Sequence, residues 1–142
     1  MELCSTRIID TSIDRLWALQ LAHDEWADHV PNFQKVVPDG AGFGVGSVVT
    51  ITQPGLGTVA WTVASVDERG DRKSFAWKAR ARGTDYEGRH ELVAEGADRT
   101  RLTLTLVATG GLTKVVGPLL KGRMLRAIDD EAAAFQRWSA AA

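Results

Sequence analysis

The stretch DYEGRHELVAEGADRTRLTLTLVA, residues 85–108, decides the fold. Two alternating segments, Asp85 to Ala94 and Arg99 to Ala108, flank the turn-forming Gly96-Ala97-Asp98, which is the pattern of a β-hairpin. With the turn centred on Ala97, Leu92 opposes Leu102, His90 opposes Leu104 and Gly88 opposes Leu106. Side chains alternate along a strand, so Leu92, Leu102, Leu104 and Leu106 share one face with His90. Glu87, Arg89, Glu91, Arg101, Thr103 and Thr105 take the other. One face is apolar and the other wet, and the apolar face carries a histidine.

Working towards the N-terminus, Lys73 to Arg80, Thr58 to Val66 and Ser47 to Gln53 read as further strands. Arg69-Gly70-Asp71 and Pro54-Gly55 separate them. The links are too short for parallel crossovers, so an antiparallel meander follows. A hairpin turning near Arg69 pairs Val63 with Phe75 and Trp61 with Trp77, giving one large aromatic and aliphatic patch. Whether that patch shares the face of His90 depends on the turn at Arg82-Gly83-Thr84. Phe33 to Val37 is strand-like, and Pro38 to Gly46 is a glycine-rich loop. Before them, Asp24 to Val30 and Ile13 to Leu21 are short helices. Thr11 with Asp14 resembles a capping box at the start of the first helix. Glu2 to Ile9 is a first strand. Towards the C-terminus a 3.6-residue period runs from Leu112 onwards. Its stripe takes in Val116, Leu119, Leu120, Met124, Ile128, Phe135 and Trp138, and Gly117-Pro118 should kink or divide it.

The bulk numbers fit this reading. A chain of 142 residues, 44% hydrophobic and 25% charged, suits one globular domain over residues 1–142. A net charge of -1 removes the attraction on which binding to nucleic acid or acidic membranes mostly rests. Cys4 is the single cysteine, so an intrachain disulfide and a cysteine zinc site are excluded. The first ten residues, MELCSTRIID, do not read as a secretion signal, and no apolar run is long enough to span a bilayer. The expected location is the cytoplasm.

Layout and local strings together resemble the START-like superfamily of helix-grip proteins, which includes polyketide cyclases and dehydratases and is often labelled SRPBCC. The strings are Ile8-Ile9 followed by Thr11-Ser12 and Leu16-Trp17, Trp26 before Pro31, and Gly46-Ser47. Gln53-Pro54-Gly55, Trp61-Thr62-Val63, Phe75-Ala76-Trp77, Gly88-Arg89-His90 and a last helix containing Glu131 complete the series. The resemblance implies an α+β fold: a curved antiparallel sheet of about seven strands wrapped around a long C-terminal helix, two short helices after the first strand, and a cavity between sheet and helix. It fixes fold better than function, because one fold hosts many activities.

Other features read as structure. The glycines at positions 40, 42, 44 and 46 precede a strand, whereas a dinucleotide loop needs a helix next. By the resemblance, Phe43 in this loop is a lid residue at the cavity mouth. His23 and His29 are six apart and fall on different helix faces, so they read as solvated and not as a metal pair. Lys114, Lys121, Arg123 and Arg126, partly balanced by Asp129, Asp130 and Glu131, read as water-facing charges on the last helix. Trp17, Trp26 and Trp138 read as core, while Trp61 and Trp77 suit a ligand wall.

His90 has two readings: a buried histidine satisfied by a neighbour, or the pocket's hydrogen-bonding handle, with Tyr86 at the same strand parity. The expected ligand-binding set is Trp61, Phe75, Trp77, Tyr86, His90 and Leu104, with Phe43 from the loop and Leu120 and Met124 from the helix. The leading function is binding of a hydrophobic small molecule, lipid or polyketide-like. The alternative is a cyclase or dehydratase using His90 and Tyr86 as acid and base, with Asp85, Arg80 and Arg82 at the rim. A ligand-free interaction module comes third. No metal and no cofactor is expected, and the chain is expected to be a monomer or homodimer.

Overall fold

The computed structural model describes residues 1–54 and 56–141, with the side chains of residues 111–112 and 114–117 left aside. The chain runs β1 (Glu2–Ile9), α1 (Ile13–Leu21), α2 (Trp26–His29), β2 (Lys35–Pro38), β3 (Val48–Gln53) and β4 (Gly57–Arg69). It continues with β5 (Arg72–Ala81), β6 (Thr84–Gly96), β7 (Arg99–Thr109) and α3 (Gly111–Ala140). Among the described residues seven strands form one sheet in the order β1-β7-β6-β5-β4-β3-β2, every neighbouring pair antiparallel. The helix α3 packs on β1, β7 and β6 and touches α1 and α2. This is the α+β helix-grip arrangement that the order of elements implies.

The β6–β7 register is the one the alternation demands, with Leu92 opposite Leu102, His90 opposite Leu104 and Gly88 opposite Leu106. The β4–β5 register differs from expectation. Val63 pairs with Trp77 and Val66 with Phe75, because a bulge between Val63 and Ser65 inserts one residue. Trp61 therefore stands diagonal to Trp77, and their rings still stack, with centroids 5.4 Å apart. At the β5–β6 turn Arg82 takes φ 52° and Gly83 φ 76°, the pair of positive values that a tight two-residue hairpin turn needs. That turn sets Phe75 directly opposite His90, their rings stacked at 4.3 Å, so the aromatic patch and the histidine share the core face.

Three local expectations shift. The cap of α1 is Ser12, whose Oγ accepts from the Arg15 N–H at 3.2 Å. Thr11 is held back, its carbonyl accepting from Thr100 Oγ1 at 2.9 Å. The first strand after α2 starts at Lys35, and Phe33 turns into the core. The helix α3 runs on through Pro118 as one element, and Leu119 is 81% exposed. At about 100° per residue, Leu119 lies roughly 160° around the helix from Phe135, while Met124 and Ile128 lie within about 20° of it. Met124 and Phe135 are buried and Ile128 is half-buried. Leu112 and Val116 lie outside the described side chains.

Candidate functional site

Two long-range contacts set the rotation of α3. Ser5 Oγ donates to Asp129 Oδ1 at 2.9 Å, and Arg7 Nη1 donates to Gln136 Oε1 at 2.8 Å. With Asp129 tied to β1 at the edge of the sheet, Glu131, about 200° further round, is turned away from that edge towards His90 on β6. It is 9% exposed. In the sequence Glu131 counts only among the acids that balance the basic residues of the helix; the structure puts it inside. A charged residue reads as solvated in a sequence, but its position about 40° from Phe135 puts it on the buried stripe.

Glu131 stands on the wall of a cavity between sheet and helix. From the sheet, Trp61, Trp77, Gly88, Leu104, Thr105 and Leu106 form the floor. From α3, Met124, Ala127, Ile128 and Glu131 close the top. Asn32, Gln53, Pro54 and Leu56 line the side. The cavity measures about 60 Å³, room for a few waters; a ring or a chain enters only as the wall moves. Gly88 is required here: a Cβ would stand 2.5 Å from Trp77 Nε1 and 2.8 Å from its Cδ1. The indole of Trp77 rests against bare backbone.

Behind Glu131 lies a buried polar row. His90 Nε2 is 3.6 Å from Glu131 Oε2, and His90 Nδ1 is 2.6 Å from Gln20 Oε1. Gln20 is fully buried and its Nε2 has no partner. With Nδ1–H donating to the Gln20 carbonyl, the Nε2 lone pair of His90 points at the carboxyl group. Burial pushes the His90 imidazolium down to about 3 and the Glu131 carboxyl up to about 8. Burial thus favours the neutral form of both groups. The arrangement is a carboxylic acid facing a cavity, backed by a neutral imidazole held in one tautomer by an amide.

Trp61, Trp77, Leu104 and Met124 of the anticipated set come together on this wall. Phe75 packs flat on His90, and both stand behind the described wall. Phe43 does not sit at the mouth of this cavity. It is drawn into the aromatic core, 4.9 Å from the Phe75 ring and 5.9 Å from that of Trp26. Tyr86 lies beside Trp61, ring centroids 6.3 Å apart, and borders a separate groove with Lys78 and Arg80. Arg80 Nη1 meets Asp85 Oδ1 at 3.5 Å in that groove, away from the cavity, and Arg82 sits in the β5–β6 turn. Leu120 is half-buried and off the described wall.

His23, expected at the surface, is buried, with ring nitrogens 3.3 Å from the carbonyl oxygens of Leu21 and Gly40. His29 is exposed and stacks on Trp138 at 4.3 Å. Among the described residues no three His, Cys, Asp or Glu side chains cluster closely enough to hold a metal ion. No described helix is long and apolar enough to cross a membrane.

A seven-stranded sheet gripping one long helix, with a cavity between them, defines a helix-grip domain. The chain belongs to the polyketide cyclase / dehydrase and lipid transport family, whose sequence model matches residues 2–138. No curated protein matches it in sequence. Among similar solved structures is a hypothetical protein of Helicobacter pylori, with 13% identity and a TM-score of 0.85 over 98% of this chain and 88% of that one. An aromatase/cyclase of Streptomyces sp. R1128 has 20% identity and a TM-score of 0.77 over 99% and 93%. Norcoclaurine synthase of Thalictrum flavum, in complex with dopamine and hydroxybenzaldehyde, has 20% identity and a TM-score of 0.73 over 97% and 85%. At such identities these likenesses carry the fold alone.

Proposed function

We propose that the protein binds a compact, ring-bearing apolar molecule in the cavity between sheet and α3, with Glu131 as its polar handle. The observation that carries this is one internal space walled by two stacked indoles and aliphatic side chains, with a single neutral carboxyl group. A few polar groups in an apolar pocket orient a small molecule. The family description, which names both cyclase chemistry and lipid transport, supports a ligand-binding or cyclase role. Ethylbenzene should bind saturably, shift tryptophan emission and raise the melting temperature. Ile128→Trp, which fills the space from α3, should abolish that binding. Absence of saturable binding by any small aromatic compound overturns the reading.

A second reading, cyclase- or dehydratase-like acid–base catalysis, is favoured by the Gln20–His90–Glu131 row. A protonated carboxyl group on a cavity wall can donate a proton to a developing oxyanion, and the imidazole behind it can take one back. In this reading Glu131 replaces Tyr86 as the partner of His90. Both readings take the chain as one domain over residues 1–142, cytoplasmic, a monomer or homodimer, with no cofactor, metal or nucleic acid.

A further inference from the structure

Resting on the ligand-binding reading, we propose that the cavity selects a small ring-bearing amine, whose nitrogen meets Glu131 as a cation while its ring lies against Trp61 and Trp77. The argument is the polarity of the wall. Among the described residues no lysine or arginine lines the cavity, and its polar residues are Glu131, Asn32, Gln53, Thr105, whose hydroxyl goes to Cys4 Sγ, and the two tryptophans. Asn32 spends its amide N–H on the Ala127 carbonyl, leaving its own carbonyl oxygen to accept. Gln53 Oε1, an acceptor, and Trp61 Nε1, a donor, are both buried without a partner. Glu131 has only the 3.6 Å approach of His90 Nε2, longer than a hydrogen bond. The wall therefore carries one ionisable group, an acid, and among the described residues lacks a cation to answer an anion.

Each ligand class meets that wall differently. A carboxylate would face a second carboxyl group in a desolvated space with no described counter-charge. A hydrocarbon would leave the acceptors unanswered. An amine can donate to Glu131 and to the carbonyl oxygens of Asn32 and Gln53, and its charge is favoured by the indole faces as well as by the carboxylate. The proton balance closes without a co-reactant. A neutral amine takes the proton of the Glu131 carboxyl, or an ammonium enters as that proton leaves to solvent; either gives one ammonium against one carboxylate. The described titratable group facing Glu131 from another element is His90 on β6; Trp61, Trp77 and Leu104, from β4, β5 and β7, carry none that titrates near neutrality.

The test compares phenethylamine, ethylbenzene and phenylacetate with the whole chain at pH 6.5, by calorimetric titration in two buffers of different ionisation enthalpy. Phenethylamine should bind at least tenfold tighter than ethylbenzene, with release of about one proton, and phenylacetate should bind weakest. In Glu131→Gln the amine's advantage over ethylbenzene should fall below twofold. Equal affinity of amine and hydrocarbon in the wild type overturns the proposal and leaves the ligand-binding reading standing. So does amine binding without proton release, a readout on the wild type that does not depend on the variant folding. No binding of any of the three overturns both.

Discussion

The indole edge of Trp77 lies against the backbone of Gly88, so close that an added methyl group would stand 2.5 Å from Nε1. The two residues face each other across β5 and β6, and both line the cavity. Gly88→Ala must therefore push Trp77 off its seat, in a core where overpacking costs about 1–3 kcal/mol. We expect a lower melting temperature, altered tryptophan emission and loss of small-aromatic binding. A variant with wild-type melting and binding would show that the ring has room elsewhere.

The buried carboxyl group makes stability depend on pH. Glu131 holds its proton up to about pH 8 in the folded chain, against an ordinary value of 4.5. Between these two values the folded state binds more protons than the unfolded state, so stability falls as pH rises and levels off above about 8. Each tenfold change in proton affinity is worth about 1.4 kcal/mol. Glu131→Gln should thus match the wild type near pH 4 and exceed it increasingly up to pH 8, as read by denaturant melts. A constant difference across that range would place the carboxyl group in water.

His90 acts in the opposite sense. Its folded value of about 3 lies below the ordinary 6.5, so it withdraws stability as pH falls below 6.5 towards 3. At neutral pH, His90→Leu removes the partner of a fully buried Gln20 and should cost about 1–3 kcal/mol. Adding Gln20→Leu should recover most of that loss, since two apolar side chains replace a bonded pair. Additive losses in the double variant would show that the two side chains are not coupled.

The phase of α3 can be tested by two truncations. Phe135→Ala empties a fully buried site and should cost about 3–5 kcal/mol. Leu119→Ser, at an exposed position one residue after Pro118, should stay within about 0.5 kcal/mol of the wild type. Similar losses at both positions would mean that the helix is rotated from the phase described.

The sequence by itself determined the order of elements, the antiparallel meander and the β6–β7 pairing. These rest on local information: a period of two or 3.6, a short turn, and one face apolar enough to forbid a one-residue slip. It also brought out Trp61, Trp77, Leu104 and Met124, large apolar side chains at inward-facing positions. Only the tertiary structure decided the rest. The bulge at Ala64 adds one residue to β4 and leaves no periodic trace, so the β4–β5 register slid. Phe43, Tyr86 and His23 were displaced from their expected roles by packing against segments distant in sequence. Glu131 was the least legible, because a carboxylate on a helix looks solvated until the helix has a rotation. Its place about 40° from Phe135 on the apolar stripe was the one local trace; the rotation itself is held by Ser5 on Asp129 and Arg7 on Gln136, contacts spanning more than 120 residues of chain.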